Sequence, residues 1–253
     1  MNIAVLLLHP FCNMTCTFCV TENSIDTMTM PQVLELLDQL VSQGVTNVVL
    51  GGGEPFTWPH NVVTLAGHAK ALGLTVQVGT NGIRLPSQFA SLDCIDRFVL
   101  PLDSVFDTVH NQMRIYSKGH HALIYDRLQA LQEAGKEVTI STVVTKQNIQ
   151  HLVEIAKFLN DYCRTGGRVH AWHLYRFLPY GRGGFTHATY HGVLETDYQQ
   201  AIGQLKKKLW PFTIYKRKDM YGSKTVSFYS YENGQLVVMG AQNISYSVVP
   251  LDP

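Results

Sequence analysis

This chain has no excess of positively or negatively charged side chains. The 20 lysine and arginine residues are almost matched by 19 aspartate and glutamate residues, which leaves a formal net charge of +1 at pH 7. Binding to nucleic acid draws on a surplus of basic side chains that contact the phosphates. We therefore expect no nucleic-acid partner.

Long apolar runs are missing as well. No stretch approaches the roughly 20 apolar residues with which a helix crosses a bilayer. The apolar segment Ile3–Leu8 is too short for the core of a secretory signal and has no basic flank. These absences predict a protein that stays off the membrane and works in the cytoplasm, where thiols remain reduced.

Cysteine is scarce and unevenly placed. Five cysteines occur in the chain, and three of them share one short segment, Cys12-Asn-Met-Thr-Cys16-Thr-Phe-Cys19. Cys94 and Cys163 stand alone, so we expect them to be small core or surface residues. We expect no second multi-cysteine site.

Three thiolates at this spacing predict a metal centre with an open coordination position. They cannot all pair as disulfides, and a tetrahedral zinc site would need a fourth ligand, which His9 could supply. An iron–sulfur cube is normally held by four cysteines. A cube held by three keeps one iron open for a small molecule. From the residues alone, zinc and an iron–sulfur centre both stay open.

Short apolar runs alternate with helical runs along most of the chain. The predicted strands are Ile3–His9, Asn47–Gly51, Thr75–Thr80, Arg97–Asp103, Val138–Thr145 and Ala171–Phe177. The predicted helices are Pro31–Gln43, Asn61–Ala71, Ser87–Leu92, Ala122–Ala134 and Ile149–Tyr162. Six βα units in series predict an α/β fold with a parallel sheet. The sheet is either open and doubly wound or a partly closed barrel, because a full barrel needs eight units.

The last part of the chain has a different pattern. A predicted helix at Glu195–Leu209 precedes three predicted strands, which are Phe212–Lys216, Val226–Tyr231 and Gln235–Met239. The segment Glu232-Asn233-Gly234 is typical of a hairpin turn. We expect residues 1–185 to form the core, and residues 186–253 to form a helix and β-hairpin extension of the same compact unit.

Polar or glycine-rich segments follow all six predicted strands. They are the cysteine segment, Gly51–Pro55, Thr80–Gly82, Asp103–Ser104, Thr145–Asn148 and Pro179–Gly184. Ligands of α/β sheets and barrels bind at the carboxyl ends of the strands. The six segments therefore predict an active site on one face of the sheet.

The glycine run 51–53 is the second motif of this face. Without side chains, it lets a ligand approach the backbone amides. Glu54 directly after it could accept a hydrogen bond from an ammonium group. A plain turn after the strand is the alternative, and the run does not match the dinucleotide-binding pattern GxGxxG.

Three arginines are candidates for binding a carboxylate or a phosphate. They are Arg114, Arg182 and Arg217, since a guanidinium binds both groups well. Arg182 lies in a Gly-Arg-Gly-Gly loop that we expect to be flexible, and Arg217 lies between Lys216 and Lys218. Solvated surface side chains are the alternative interpretation.

His187 and His191 stand four residues apart, a spacing that can bind a metal ion on a helix. The glycines at 183, 184 and 192 argue against a helix at this place. We therefore expect these histidines to be polar surface residues.

Taken together, the motifs resemble the signature of the radical S-adenosylmethionine (radical SAM) enzymes. The resemblance rests on Cys12-x3-Cys16-x2-Cys19 with Phe18 before the last cysteine, on Gly52-Gly53-Glu54-Pro55, on Thr80-Asn81-Gly82, and on Asp103 followed by His110 and Arg114. These motifs cover roughly residues 1–180 in the expected order. The resemblance favours iron and sulfur over zinc.

The resemblance implies a partial (β/α)6 barrel of the TIM type, here with a C-terminal helix and β-hairpin extension. It also implies a [4Fe–4S] cluster on Cys12, Cys16 and Cys19, whose open iron binds the amino and carboxylate groups of S-adenosylmethionine. Reductive cleavage then gives methionine and a 5′-deoxyadenosyl radical that abstracts a hydrogen atom from the substrate. The electron comes from an external flavodoxin-like or ferredoxin-like donor.

Roles of single residues follow from the same resemblance. Gly52, Gly53 and Glu54 would contact the methionine amino group, Phe18 the adenine through its backbone, and Arg114 the carboxylate. Thr80 and Asn81 would belong to the same cofactor site. Many members have Ser-x-Asp at the fourth strand, whereas this chain has Pro101-Leu102-Asp103. The ribose contact is therefore expected from Ser104 or Ser141.

The C-terminal part loosely resembles the branch of viperin and the molybdenum-cofactor cyclase. This resemblance favours a small, anionic, nucleotide-like substrate held by Tyr175, Arg182 and Arg217. One alternative is an enzyme that modifies a peptide or protein, including an activase of a glycyl-radical enzyme. Another is a non-catalytic iron–sulfur or zinc module, for which the Gly-Gly-Glu-Pro loop would have no use.

Overall fold

Eight parallel strands form one curled sheet in this computed structural model, which describes residues 3–217, 223 and 225–240. The sheet is built from β1 (Ile3–Leu7), β3 (Asn47–Gly51), β4 (Thr75–Gly79), β5 (Arg97–Pro101), β7 (Glu137–Val144), β8 (Arg168–Arg176), β9 (Thr213–Arg217) and β10 (Val226–Glu232), with β11 (Gln235–Gly240) antiparallel at one edge. Two short strands, β2 (Thr15–Cys16) and β6 (Arg114–Ile115), pair apart from it.

The strand order is β11-β10-β1-β3-β4-β5-β7-β8-β9. All six strands expected in the βα series are present, and the C-terminal extension adds one parallel strand at each end. β9 pairs with β8, while β10 crosses back to pair with β1. The sheet does not close, because β9 and β11 each have one neighbour among the described strands. The fold is thus the expected partial barrel with a helix and hairpin extension.

The helices lie mostly between successive strands. They are α1 (Met30–Ser42), α2 (Val62–Ala71), α3 (Asp107–Met113), α4 (His120–Glu133), α5 (Leu152–Arg164), α6 (Gly181–Gly184), α7 (Ala188–His191) and α8 (Glu195–Lys206), with short 3-10 turns at Pro55–Thr57, Phe89–Ser91 and Ile149–His151. Thr29 caps α1 in a capping box with Gln32, and Pro31 occupies its first turn.

Three helical expectations were wrong. The predicted helix Ser87–Leu92 is only the 3-10 turn Phe89–Ser91, because so short a segment cannot offset the unfavourable nucleation of a helix. The helix α3 was not predicted at all. The segment that was expected to be non-helical around His187 and His191 forms the single turn α7, and the glycines at 184 and 192 lie outside it.

One apolar core runs through the whole sheet. The buried side chains of β1, β3, β4, β5 and β7 pack with those of α1, α2, α4, α5 and α8. Tyr198 of α8 donates a hydrogen bond from its buried hydroxyl to the Leu174 carbonyl oxygen of β8, at 2.7 Å. The division at residue 185 stays a prediction. Among the described residues, no helix is both long and apolar enough to cross a bilayer.

Candidate active site

The loops at the carboxyl ends of the strands surround a cavity of about 700 Å³. Many of the residues singled out from the sequence line it, namely Cys12, Cys16, Phe18, Cys19, Gly52, Gly53, Thr80, Asn81, Arg114, Ser141, Tyr175, Arg182 and Arg217. Glu54 and Ser104 do not line it. The fold therefore brings together motifs that are up to about 200 residues apart in the chain.

The cysteine segment is fixed by a strand pair of its own. Cys16 in β2 pairs with Arg114 in β6, and the Thr17 amide donates to the Met113 carbonyl oxygen at 3.0 Å. All three cysteines are unpaired thiols of intermediate exposure. The segment is thus held in place by backbone contacts while its sulfur atoms remain available.

A single zinc ion and an iron–sulfur cube need their cysteine ligands at different separations. In the described part of the chain, no three histidine, cysteine or acidic side chains are grouped to hold one metal ion. Tetrahedral zinc would place its sulfur ligands only about 3.8 Å apart. A cube binds each thiolate at a different iron, so its three cysteines stand further apart. The imidazole of His9 donates from Nε2 to the Glu54 carbonyl oxygen at 2.8 Å, and His9 does not line the cavity.

Without a bound metal, the thiols of Cys12 and Cys16 stay protonated. Burial raises the pKa of Cys16 to about 12 and also raises the pKa of Cys12. Coordination to a metal deprotonates a thiol outright. The three thiols lining one cavity beside an open glycine loop therefore fit a three-cysteine [4Fe–4S] cluster.

Two side chains direct N–H groups at the cysteine sulfurs. The Asn81 Nδ2 atom lies 3.4 Å from Cys12 Sγ, and the Arg114 Nη1 atom lies 3.6 Å from Cys16 Sγ. The Arg114 Nε atom donates to Asp103 Oδ2 at 2.5 Å. The guanidinium is therefore partly engaged by Asp103 and by Cys16 rather than wholly free for a ligand carboxylate. Its planar group also lies 4.8 Å from the centre of the Phe18 ring.

The glycine loop packs against the backbone of the cysteine segment. The Gly53 amide donates to the His9 carbonyl oxygen at 2.7 Å, and the Glu54 amide donates to the Phe11 carbonyl oxygen at 2.8 Å. A Cβ atom at position 53 would lie 1.8 Å from the Phe11 oxygen. Glycine is thus required here for contact within the protein as well as for access by a ligand.

Glu54 is fully buried and serves the neighbouring loop. Its Oε1 accepts from the Thr80 hydroxyl and its Oε2 accepts from the Asn81 amide, both at 2.7 Å. Burial raises the pKa of this carboxyl group above its usual value. The expectation that its carboxylate reaches a ligand ammonium group is not supported, because the carboxylate holds the turn after β4.

The two serines considered for the ribose contact differ in position. The Ser104 hydroxyl oxygen accepts a hydrogen bond from the Phe106 amide at 3.1 Å and lies 3.3 Å from His151 Nδ1. It is turned toward α3 and the segment before α5. Ser141 on β7 lines the cavity beside Pro101. Of the two, only Ser141 is placed to meet a ligand there.

The Gly-Arg-Gly-Gly segment, expected to be a flexible loop, forms a hydrogen-bonded turn. It forms the turn α6, whose Gly183 and Gly184 amides donate to the Cys19 carbonyl oxygen at 3.0 and 3.2 Å. A Cβ atom at position 183 would lie 2.4 Å from the Cys16 carbonyl oxygen. The Arg182 Nη1 atom donates to the Pro10 carbonyl oxygen at 2.5 Å. The turn therefore supports the cysteine segment.

The hairpin β10–β11 supports the same segment from its other end. The Asp26 amide donates to the Tyr231 carbonyl oxygen, and the Gly234 amide donates to Asp26 Oδ2, both at 2.7 Å. Nothing in the sequence marked Asp26, since a single aspartate in a polar stretch has no distinguishing pattern. The described C-terminal residues thus complete the loop that carries the cysteines.

The far wall of the cavity is formed by β8 and β9. The guanidinium of Arg217 lies 5.0 Å from the centre of the Tyr215 ring, and the His173 ring lies 5.1 Å from that of Tyr215. Tyr175 is 37% exposed and lines the cavity. No carboxylate of residues 3–217, 223 and 225–240 forms an ion pair with Arg217. The predicted basic partner Lys218 lies outside the described residues.

The histidines of α7 serve packing. His191 is fully buried, and its Nε2 lies 2.7 Å from the Thr17 hydroxyl oxygen. The His187 Nδ1 atom lies 3.0 Å from the Gly183 carbonyl oxygen. Expecting both at the surface was wrong for His191, which packs beneath the cysteine segment. The pair belongs to no metal-binding group in the part of the chain that the structure describes.

Comparison with known proteins agrees with this site. The family model described as the radical SAM superfamily matches residues 6–159, which is more than half of the chain. The chain belongs to the radical SAM superfamily. Radical SAM enzymes use a [4Fe–4S] cluster and S-adenosylmethionine, and this chain is one of them.

Curated relatives are similar over about two thirds of the chain. An S-adenosylmethionine-dependent nucleotide dehydratase of Flammeovirga pacifica is 28% identical over 181 residues, which cover 66% of this chain and 60% of the relative. The mycofactocin maturase MftC of Mycobacterium ulcerans is 29% identical over 180 residues, covering 68% and 46%. The chain thus spans about half the length of these relatives.

Among solved structures, Streptococcus suis SuiB bound to S-adenosylmethionine has the same fold. Its TM-score is 0.71 at 14% sequence identity, and the match covers 93% of this chain and 59% of SuiB. At this identity the similarity concerns the fold alone. It confirms the partial barrel.

Proposed function

We propose that this radical SAM enzyme takes a hydrogen atom from a small, anionic, nucleotide-like substrate. The observation that carries the proposal is the composition of the cavity. Three cysteine thiols lie at one end, and Arg217, which has no described carboxylate partner, lies on the wall formed by β8 and β9. A cation at a cavity wall favours a substrate with a phosphate or carboxylate group.

At the cofactor end, Cys12, Cys16 and Cys19 would hold the cluster. When bound, the cluster and S-adenosylmethionine supply reductive cleavage of a sulfonium and hence a strong hydrogen-atom abstractor. The backbone at Gly52 and Gly53 offers polar groups to the ligand, and Thr80 and Asn81 close the same side. Ser141, which lines the cavity, would bind the ribose.

The middle of the cavity is apolar. Its walls include Val5, Val49, Val99, Phe228 and Met239, which come from β1, β3, β5, β10 and β11 respectively. Such a lining excludes water and offers few polar hydrogens near the reaction. The protein's part in the chemistry is therefore to orient the substrate carbon and to keep solvent away from it.

The substrate end is the part that the relatives inform. One of them is named as a nucleotide dehydratase, which supports a nucleotide-like substrate here. Tyr175 offers an aromatic ring at the cavity wall, and Arg217 offers a charge beside it. Arg182 contributes less than expected from the sequence, because its guanidinium already donates to the Pro10 carbonyl oxygen.

Anaerobic reconstitution tests the proposal directly. The full chain would be loaded with iron and sulfide, reduced with dithionite and mixed with S-adenosylmethionine and deuterated nucleoside triphosphates. We expect 5′-deoxyadenosine to form and to carry deuterium from one nucleotide. If no nucleotide stimulated the cleavage or transferred deuterium to 5′-deoxyadenosine, the proposal of a nucleotide-like substrate would be wrong. A fully loaded preparation without cleavage would favour the non-catalytic module.

A peptide substrate is the second candidate. SuiB, which shares the fold, has been solved bound to its precursor peptide SuiA. The open side of the sheet between β9 and β11 would give an extended chain access to the cavity. Labelled peptides encoded near the gene, used in the same assay, would decide between the two. The external electron donor of flavodoxin or ferredoxin type, like the cytoplasmic location, stays a prediction.

A further inference from the structure

Two residues at the ends of neighbouring strands each fix one N–H donor on a cysteine. Asp103 follows β5 and holds the Arg114 guanidinium, which lies against Cys16 Sγ. Asn81 follows β4, and its side-chain Nδ2 atom lies 3.4 Å from Cys12 Sγ and also donates to Asn13 Oδ1 at 2.8 Å. Both residues are buried, with Asp103 at 0% and Asn81 at 6% exposure. They are the inner ends of a longer hydrogen-bonded path.

Two buried histidines connect Asp103 with Asn81. The Asp103 amide donates to His110 Nδ1 at 3.2 Å, His110 Nε2 lies 2.8 Å from His120 Nδ1, and His120 Nε2 lies 2.7 Å from the Asn81 carbonyl oxygen. Both imidazoles are fully buried. Their rings are nearly parallel, at 13° and 5.1 Å between centres. We refer to His110 and His120 as the histidine pair.

The direction of every bond in this path is fixed by its ends. A carbonyl oxygen only accepts, so His120 must carry its proton on Nε2 and accept on Nδ1. His110 must then donate from Nε2, which leaves its Nδ1 to accept from the Asp103 amide. One tautomer of each ring satisfies all three bonds, and a doubly protonated ring breaks the bond that its Nδ1 atom would otherwise accept.

The surroundings keep both rings in that neutral form. Burial, with the Arg114 charge nearby, lowers the pKa of His110 to about 2 and that of His120 to about 4. The histidine pair therefore does not change its charge near neutral pH. Its role is to hold neighbouring groups in position, because neither ring can gain or lose a proton without breaking one of these hydrogen bonds.

The other polar groups of Asn81 and Asp103 are also engaged. The Asn81 backbone amide donates to Glu54 Oε2, and the Asn81 Oδ1 atom accepts from the Ile83 backbone amide. Asp103 Oδ1 accepts from the Val143 amide at 2.8 Å. Removing the histidine pair would thus free one specific group at each end, the Asn81 carbonyl oxygen and the Asp103 amide, within an otherwise satisfied network.

We propose that His110 and His120 are positioning residues that align the Asn81 and Arg114 donors with the sulfur atoms of Cys12 and Cys16, and thereby raise the reduction potential of the bound cluster. Hydrogen bonds to cluster sulfurs are one of the factors that set this potential, because they stabilise the added negative charge. The inference rests on ligation of the cluster by the three cysteines, which the proposed function shares.

Replacement of His120 by phenylalanine tests the alignment. H120F keeps a flat ring but removes both nitrogens, and His121→Asn is a matched control on the next residue, whose ring contacts His110 at 5.5 Å without joining the path. We expect H120F to lower the midpoint potential in a titration monitored by electron paramagnetic resonance, with iron content retained. H121N should match the wild type. An unchanged potential in H120F, or an equal shift in H121N, would overturn the proposal.

A double-mutant cycle separates this role from general destabilisation. If His120 acts in part through Asn81, H120F combined with N81A should shift the potential by less than the sum of the two single shifts. Additive shifts would contradict the proposal. His120→Gln, whose side-chain amide can still donate toward the Asn81 oxygen, should restore most of the wild-type potential.

The tautomers provide a readout that does not depend on any variant. In the full chain labelled with ¹⁵N-histidine and carrying the oxidised, diamagnetic cluster, we expect protonated Nε2 and unprotonated Nδ1 in both rings. A proton on Nδ1 of either ring would contradict the path. If the cluster formed and was reduced but no S-adenosylmethionine was cleaved, the proposed function would be wrong. The potential and tautomer measurements would still decide the role of the histidine pair.

Discussion

The two ends of the cavity are built in opposite ways. At the cysteine end, nearly every polar group has a partner within the protein, from Glu54 and Asn81 to Asp103 and Arg114. At the wall of β8 and β9, Arg217 has no described carboxylate partner and Tyr175 is partly exposed. This difference agrees with the proposed function, in which the cysteine end holds the cofactor and a substrate completes the polar contacts of the other end.

The support of the cysteine segment by α6 gives the largest expected effect. In Gly183→Ala, the new Cβ atom would meet the Cys16 carbonyl oxygen at 2.4 Å and the Cys19 amide at 2.7 Å. We expect most of the iron to be lost from the reconstituted protein, as measured by iron and sulfide analysis. Gly203→Ala in α8 is the matched control, since no atom lies within 4 Å of its Cβ position. Full iron loading of G183A would show that the cysteine segment holds the cluster even when its backbone is displaced.

A substitution at the wall of β8 and β9 should change substrate binding and leave the cluster unaffected. Arg217→Gln removes a cation that forms no ion pair with a carboxylate of the described residues, and a hydrogen bond to a charged group contributes about 1.5–3 kcal/mol. We expect KM for an anionic substrate to rise by about 10- to 150-fold. The iron content and the slow cleavage of S-adenosylmethionine without substrate should not change.

Arg182→Gln sharpens the same comparison. Because Arg182 donates to the Pro10 carbonyl oxygen, its replacement should reduce cluster loading more than substrate affinity. If R182Q and R217Q had the same effect on KM, the two ends would not differ as the structure indicates.

Acid should destabilise the folded protein through the histidine pair. The folded-state pKa of His120 is lowered to about 4 and that of His110 to about 2, against about 6.5 for an unperturbed histidine. The unfolded chain therefore binds more protons than the folded one below about pH 6.5, and stability decreases as the pH falls through this window. The slope is about 1.4 kcal/mol per pH unit for each histidine.

Urea unfolding between pH 7 and pH 4.5 measures this slope. In H120F the slope should be smaller by about one proton, while H121N should retain most of it because His121 is less buried. An identical pH dependence in H120F and the wild type would mean that the histidine pair is charged in the folded protein.

The smallest effect is expected at the hairpin tip. Asp26→Ala removes the acceptor of the Gly234 amide, an exposed contact at 2.7 Å, and we expect a loss of about 0.5–1.5 kcal/mol of stability. Cluster loading should fall only slightly, since the Asp26 amide still bonds the Tyr231 carbonyl oxygen. A large loss of iron would instead mean that the hairpin is essential for holding the segment that carries the cysteines.

Local patterns explain which parts were predictable. The strands and most helices were predicted because apolar periodicity and the Thr29 cap act within a few residues. The turn Phe89–Ser91 and the helix α3 were not, because neither has a clear periodic signal. Arg182 was assigned to the substrate from its charge and its glycines, whereas the same glycines serve the close approach of α6 to Cys16 and Cys19.

The sequence by itself determined the family, the cofactors and the parallel α/β architecture, because the cysteine spacing, the glycine run and the βα alternation are local properties of the chain. The tertiary structure alone decided how the polar residues divide between frame and substrate. His120 and Asn81 are 39 residues apart, and Arg114 and Cys16 are 98 apart. Contacts across such separations depend on the register of neighbouring strands, which places their carboxyl ends side by side and which no short pattern encodes.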